Sequence, residues 1–132
     1  MAVLLDTSVL IGAEEGPDED AAISVVSLTE LHFGVLVAAD ESIRAIRMRR
    51  LATIEDHFDA LPFDAAAARE CGRLHALVAQ RSGQPRRRAL DLAIAATASV
   101  HGVPLLTYDA KDFQILAGEL DVRIPGRRSD KA

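Results

Sequence analysis

Short apolar runs alternate with longer amphipathic stretches along most of the chain. Five runs are typical of buried strands, and they occupy residues 3–5, 23–26, 60–63, 103–107 and 122–124. The stretches between them have helical periodicity, after residue 6 and at about 28–39, 42–58, 65–82 and 90–101. Strands that alternate with helices favour a parallel sheet that is covered on both faces. The pattern therefore predicts an α/β domain with a central parallel sheet of four to five short strands.

Polar residues at the ends of the helical stretches indicate where several helices begin and end. Asp40 and Asp64 are placed as N-caps, and Gly102 is placed to end a helix. Residues 27–30 have the form of a capping box, so we expect a helix to begin there. Residues 86–88 are predicted to lie in a loop.

The 132 residues suit one domain, and no repeat or linker divides them. We assign residues 1–125 to this domain and residues 126–132 to a basic, disordered C-terminal tail. An acidic stretch at residues 14–20 contains Gly and Pro and is interpreted as a loop.

Composition indicates a protein of the cytoplasm rather than of a membrane. No apolar run approaches the roughly 20 residues that cross a bilayer, and the N-terminus lacks the features of a signal peptide. The single cysteine, Cys71, cannot form an internal disulfide, which fits a reducing compartment.

The formal charge of −5 does not favour a nucleic-acid partner, because basic surfaces supply most phosphate affinity. Arginines are nevertheless concentrated locally, and one run consists of Arg86, Arg87 and Arg88. This run could guide a phosphate backbone, or it could simply be solvated.

Acidic residues lie at the positions where parallel sheets usually bind ligands. These positions are beyond the carboxyl ends of the strands or in the first turns of the helices. These residues are Asp6, Glu30, Asp91, Asp109 and Asp112. Asp6 and Glu30 also have local interpretations as helix-capping residues. Asp91 is harder to explain locally, because the helix that follows it is apolar nearly all round.

A cluster of these acids would need a cation. Two carboxylates about 4 Å apart repel by roughly 4 kcal/mol at an effective dielectric constant of 20. The four histidines show no metal-site spacing, and no phosphate-binding glycine loop is present. Oxygen ligands alone favour Mg²⁺ or Mn²⁺ over zinc.

Four segments together resemble the successive motifs of PIN-domain nucleases, and in particular of the VapC toxins of bacterial toxin–antitoxin pairs. The segments are LLDTSVLI at 4–11, SLTEL at 27–31, DLAIAATA at 91–98 and LLTYDAKDF at 105–113. The resemblance extends from Val3 to about Ile124.

The resemblance implies an Mg²⁺- or Mn²⁺-dependent endoribonuclease whose metal-site acids are Asp6, Glu30 and Asp91. Asp109 and Asp112 both remain candidates for a fourth acid. Hydroxyls that would orient carboxylates, water or substrate are those of Thr7, Ser8 and Thr107. The resemblance further implies an RNA substrate, a homodimer and a small antitoxin partner, for which Leu31, Val35, Ile43 and Ile46 could form an apolar groove.

Three other interpretations fit parts of the pattern. A receiver domain could use Asp6, Thr107 and Lys111, but no strand offers a convincing phosphoacceptor. A phosphatase of the haloacid-dehalogenase type needs an acid where Ser8 stands. A PIN-like module that binds RNA or protein without catalysis is the third, and the intact acids argue against it.

Overall fold

The computed structural model of the protein describes residues 1–12 and 20–126. The strands are β1 (Val3–Leu5), β2 (Ala21–Ser24), β3 (Ala60–Leu61), β4 (Leu105–Leu106) and β5 (Val122–Arg123). The α-helices are α1 (Thr7–Gly12), α2 (Val25–Leu36), α3 (Glu41–His57), α4 (Ala65–Gln80) and α5 (Ala89–His101). Two 3₁₀ helices occupy Pro85–Arg88 and Ala110–Leu116. Most of the predicted acidic loop at 14–20, and all of the predicted tail except Gly126, lie outside the described residues.

The five strands form one parallel sheet in the order β3-β2-β1-β4-β5. Side chains alternate between its two faces, as the strand geometry requires. Leu4 and Leu105 pack into one core cluster with α4 and α5. Leu5 and Leu106 pack into the other cluster, with α1, α2 and α3. The predicted single α/β domain with helices on both faces is therefore confirmed.

The predicted start of α2 is wrong. Strand β2 ends where its pairing with β3 ends, at Ser24, and α2 begins at the next residue. Ser24 is the N-cap, because its extended backbone lets its hydroxyl accept a 3.0 Å hydrogen bond from the Val26 N–H. Residues 27–30 consequently lie inside the helix and do not form a capping box.

Other predicted boundaries are largely confirmed. The Asp40 and Asp64 carboxylates accept hydrogen bonds from the N–H groups of Ile43 and Ala67, at 2.9 and 3.0 Å. Gly102 ends α5 with a left-handed φ of 65°. Residues 86–88 are 3₁₀-helical rather than a loop.

The second 3₁₀ helix, Ala110–Leu116, packs near the end of α4. Its Phe113 and Leu116 are buried in the cluster on that face of the sheet. A Cβ atom at Gly83 would overlap the side chains of Ile115 and Val78. Gly83 therefore permits the close approach that places this segment, and Asp112 with it, beside the carboxyl edge of the sheet.

None of the helices in the described ranges is long and apolar enough to cross a membrane.

Candidate active site

Asp6 lies at the centre of the carboxyl edge, directly after the central strand β1. Its side chain is only 4% exposed. The hydroxyls of Ser8 and Thr107 donate to its Oδ2 atom, at 2.9 and 2.8 Å. Hydrogen bonds of this kind fix the orientation of a carboxylate. The structure therefore brings together Asp6 and Thr107, which the strand ends place at this edge, and Ser8, which the family resemblance names.

Glu30 is tied to the same edge through Thr7. The Thr7 Oγ1 atom lies 2.6 Å from Glu30 Oε1 and 2.9 Å from Ser27 Oγ. A hydroxyl has one hydrogen, and an ionised carboxylate only accepts, so Thr7 donates to Glu30 and the second contact needs the Ser27 hydrogen. Buried Ser27 thus supports Thr7, and Thr7 orients Glu30.

Asp91 occupies the first turn of α5 and is half-buried. Burial is the largest cause that raises the pKa of its carboxyl group, the charges of Asp6, Glu30 and Asp112 add to it and Arg88 opposes them, so that the pKa is about 6. A shared electrostatic environment of this kind means that the four acids lie at one site. The charges of the other three acids therefore add to the effect of burial on Asp91.

The raised pKa predicts a pH-dependent stability in metal-free protein. The usual pKa near 3.8 becomes about 6 on folding, so the folded chain binds more protons between these values. The stability contributed by protonated Asp91 is complete below pH 3.8 and is lost as the pH rises through 6. Asp91→Asn removes the charge. At pH 7.5 the free energy of unfolding of this variant should therefore be about 1–2 kcal/mol higher than that of wild type, after discounting for partial exposure.

Urea unfolding in EDTA measures this difference, which should shrink as the pH is lowered towards 4. Asp109→Asn serves as the control, because Asp109 is exposed and its charge is not among those that raise the pKa of Asp91. A metal-free Asp91→Asn protein no more stable than wild type at pH 7.5 would contradict the charge repulsion.

The two candidates for the fourth acid occupy different positions. Asp109 is the exposed N-cap of the second 3₁₀ helix, and its N–H donates to Thr107 Oγ1 at 3.0 Å. Asp112 lies in the first turn of that helix and is the one of the two whose charge acts on Asp91. The geometry therefore favours Asp112 as the member of the acid cluster.

The three neighbouring arginines are not equivalent. Arg88 is half-buried, and its Nη1 atom donates to the main-chain carbonyl of Asp112. Arg86 and Arg87 are exposed, and Arg87 contacts Gln84 Oε1 at 3.3 Å. Arg88 thus holds the segment that carries Asp112, while Arg86 and Arg87 are open to a ligand.

The side chains of the acid cluster are of the type that binds a metal ion, but they are spaced too widely to hold one ion. Carboxylate oxygens are the ligands that Mg²⁺ and Mn²⁺ prefer. In the described ranges, however, no three acidic, histidine or cysteine side chains converge closely enough to hold one ion. Mutual repulsion favours such separation in acids without a cation. A cation at this site would therefore have to draw Asp6, Glu30, Asp91 and Asp112 together.

Sequence reasoning missed Ser27 and Arg88 as parts of this arrangement. Ser27 was interpreted as a helix cap, and its role depends on a contact with Thr7 that is 20 residues distant. Arg88 was grouped with its neighbours as a substrate contact. Its position directly before the α5 helix that carries Asp91 was a usable signal.

The predicted apolar groove is also corrected. Leu31 and Val35 are buried in the core, since α2 packs them against α3. The apolar side chains that α2 and its end expose are instead Phe33, Leu36 and Val37, at 63%, 75% and 54%. Ile46 on α3 is 50% exposed. An apolar surface therefore exists here, and of the four predicted residues Ile46 is an exposed member of it, whereas Leu31 and Val35 are not.

Comparison with known proteins gives the family. The sequence matches the model of the PIN domain over residues 3–119. Ribonuclease VapC5 of Mycobacterium tuberculosis is 42% identical over 130 residues, which cover 93% of each chain. The chain belongs to the VapC family of PIN-domain proteins. Ribonuclease VapC1 of Rickettsia felis is 32% identical over 127 residues, covering 89% of this chain and 92% of that protein.

Solved structures give the same result for the fold of this PIN domain. The crystal structure of VapBC-5 from Mycobacterium tuberculosis, a member of the VapBC family of toxin–antitoxin systems, aligns with a TM-score of 0.78 at 40% identity. The alignment covers 94% of this chain and 97% of that one. FitAcB from Neisseria gonorrhoeae aligns with a TM-score of 0.75 at 24% identity over 93% and 97% of the two chains, which shows a shared fold. The resemblance seen in the sequence is confirmed, and the receiver and phosphatase interpretations are excluded.

Proposed function

We propose that this PIN domain is an Mg²⁺- or Mn²⁺-dependent endoribonuclease and the toxin of a toxin–antitoxin pair. The observation that carries the proposal is the electrostatically coupled set of Asp6, Glu30, Asp91 and Asp112 at the carboxyl edge of the sheet. Relatives that are named ribonucleases and cover nearly the whole chain support the same activity.

The four acids would hold the cation, and Asp109 stands outside the set. A divalent cation at such a site supplies positive charge to a phosphodiester and lowers the pKa of a water molecule. Neutralisation by the ion would also relieve the repulsion that raises the pKa of Asp91. Affinity for the ion should therefore fall as the pH drops below 6.

The protein's own contribution is to orient the acids before the ion or substrate arrives. Ser8 and Thr107 fix Asp6, and Thr7 fixes Glu30, so neither carboxylate needs to find its position during the reaction. The hydroxyls of Thr7 and Ser8 are thus engaged with carboxylates, and we assign them to orientation rather than to substrate binding.

Arg86 and Arg87 are the members of the arginine run that we assign to RNA. Both are exposed and lie in the turn before α5, which carries Asp91. Positive charge at this position would offset the field of the acids for an approaching phosphate backbone. Arg88 acts instead on the protein itself, through Asp112.

We further propose an antitoxin partner and a homodimer. Solved relatives described as toxin–antitoxin systems support the partner. A small antitoxin would cover the exposed apolar side chains of Phe33, Leu36 and Val37 and place an Arg or Lys near the acids, where a guanidinium can bind two carboxylate oxygens. Homodimer formation rests on the family resemblance and is measured by light scattering.

Analysis of the product ends tests the proposed reaction. Carboxylates line the site. None of the hydrogen bonds described there involves a pair of histidines that could act as general acid and base for transesterification by the 2′-OH. Purified protein with Mg²⁺ should therefore leave 5′-phosphate and 3′-hydroxyl ends on RNA, and excess EDTA should abolish cleavage. End-specific ligation and mass spectrometry of the fragments identify the ends.

The control is the Asp91→Asn variant purified in the same way, because any cleavage that remains in it would come from a contaminating nuclease. Products with 2′,3′-cyclic phosphate ends, or cleavage that survives EDTA, would refute hydrolysis assisted by a metal. RNA that binds without being cut would instead support the non-catalytic module.

A further inference from the structure

Tyr108 is an exposed aromatic residue at the edge of the acid site. It is the single tyrosine of the chain, which also has no tryptophan. It lies between Thr107 and Asp109, and 46% of its surface is exposed. Thr107 directly before it is fully buried. The chain thus presents its one tyrosine ring to solvent at the position where the main chain leaves the sheet beside the acids.

The hydrogen bonds that orient Asp6 also fix Tyr108. The Tyr108 N–H donates to Ser8 Oγ at 3.0 Å, and the Ser8 hydroxyl donates to Asp6 Oδ2 at 2.9 Å. On the following residue, the Asp109 N–H donates to Thr107 Oγ1 at 3.0 Å. Two consecutive hydrogen bonds, through Ser8, therefore connect the main chain of Tyr108 to the Asp6 carboxylate.

The ring itself rests against the end of α1. A Cβ atom at Gly12 would lie 3.4 Å from both Cδ2 and Cε2 of Tyr108, which is an ordinary van der Waals distance. One edge of the ring therefore lies beside this glycine, and 46% of the surface of the residue stays open to solvent. Support on one side and exposure on the other is the arrangement of a stacking platform.

We propose that the Tyr108 ring stacks on a base of single-stranded RNA beside the phosphate to be cut. This inference rests on the proposed ribonuclease function and names a base-binding position for it. The acid cluster and the net charge of −5 repel a phosphate backbone, so charge contributes less affinity here than on a basic surface. Stacking on an aromatic ring does not depend on charge and accepts any base. It can therefore supply affinity for RNA beside the acid cluster, which the proposed reaction requires.

The single tyrosine makes the contact directly observable. With 280 nm excitation in EDTA, unlabelled single-stranded RNA should quench the tyrosine emission of the wild-type protein. An abasic ribose-phosphate oligomer of the same length carries the same charge without bases and should leave the emission unchanged. Free N-acetyltyrosinamide corrects for absorption by the RNA.

Variants then measure the contribution to affinity, by anisotropy of labelled RNA in EDTA. Tyr108→Leu keeps an apolar side chain without the aromatic face and should weaken binding about tenfold. Tyr108→Phe keeps the face and should bind within about twofold of wild type. Phe63→Leu removes an aromatic side chain that is 39% exposed near β3, three strand spacings from β4, and should bind like wild type.

The outcomes separate this inference from the function on which it rests. Cleavage of the same RNA by wild type with Mg²⁺ is measured independently, so failure to cut refutes the proposed function whatever Tyr108 does. If RNA binds in EDTA but neither quenches the emission nor distinguishes Tyr108→Leu from wild type, the stacking proposal is wrong. The exposed ring would then be assigned to a protein contact.

Discussion

Asp91→Asn should lower RNA cleavage by at least about a hundredfold, because even outer groups of metal sites change activity by roughly 10- to 100-fold. The amide nearly preserves the shape of the carboxylate but removes a charge that the proposed cation needs. The half-buried position of Asp91 in the first turn of α5 means that water cannot readily replace it. Single-turnover cleavage of a labelled RNA at saturating protein measures the loss.

The same variant should keep its fold and gain stability without metal, so loss of activity cannot be attributed to unfolding. Circular dichroism and urea unfolding establish this on the same preparation. Asp56→Asn makes an equal change of charge at an exposed site on α3 and should cleave like wild type. Near-normal turnover by Asp91→Asn would remove Asp91 from the reaction.

Asp112→Asn and Asp109→Asn should differ in activity, although the two residues are one helical turn apart. Asp112→Asn should lower cleavage by about thirtyfold, since its charge belongs to the set that acts on Asp91. Asp109→Asn should stay within about threefold, because the Asp109 side chain makes no capping hydrogen bond and the main-chain bond of this residue to Thr107 is unchanged.

Titration of Mg²⁺ separates a metal role from a structural one in this pair. With Asp112→Asn the Mg²⁺ concentration for half-maximal activity should rise, and more Mg²⁺ should recover part of the loss. The reverse result, with Asp109→Asn the weaker enzyme, would make Asp109 the fourth acid and leave Asp112 without a role in the metal site.

The fold was predictable because burial leaves a strong pattern in a two-sided parallel sheet. Strands such as β1 must be apolar on both faces, so Val3, Leu4 and Leu5 stand out from the polar residues around them. The position of Asp6 followed from topology, since the carboxyl ends of parallel strands share one edge. The same reasoning placed Thr107 beside it.

Features that depend on contacts between residues far apart in the sequence could not be predicted. Ser24 and Ser27 are both plausible N-caps, and the choice is made by the pairing of β2 with β3, which ends at Ser24. Ser27 is thereby free to contact Thr7 across 20 positions. The family resemblance leaves both Asp109 and Asp112 as candidates for the fourth acid. The 3₁₀ helix that gives them different environments has too few residues to leave a clear period in the sequence.

The central position of β1 has a consequence for the order in which the chain is made. Asp6 is synthesised before Thr107, which orients it and comes 101 positions later. Until β4 follows, one edge of β1 is unpaired and Asp112 does not exist. The four acids can therefore assemble only after the chain has been made as far as Asp112. A nascent chain that ends before β4 consequently lacks the proposed metal site, whatever its earlier strands have formed.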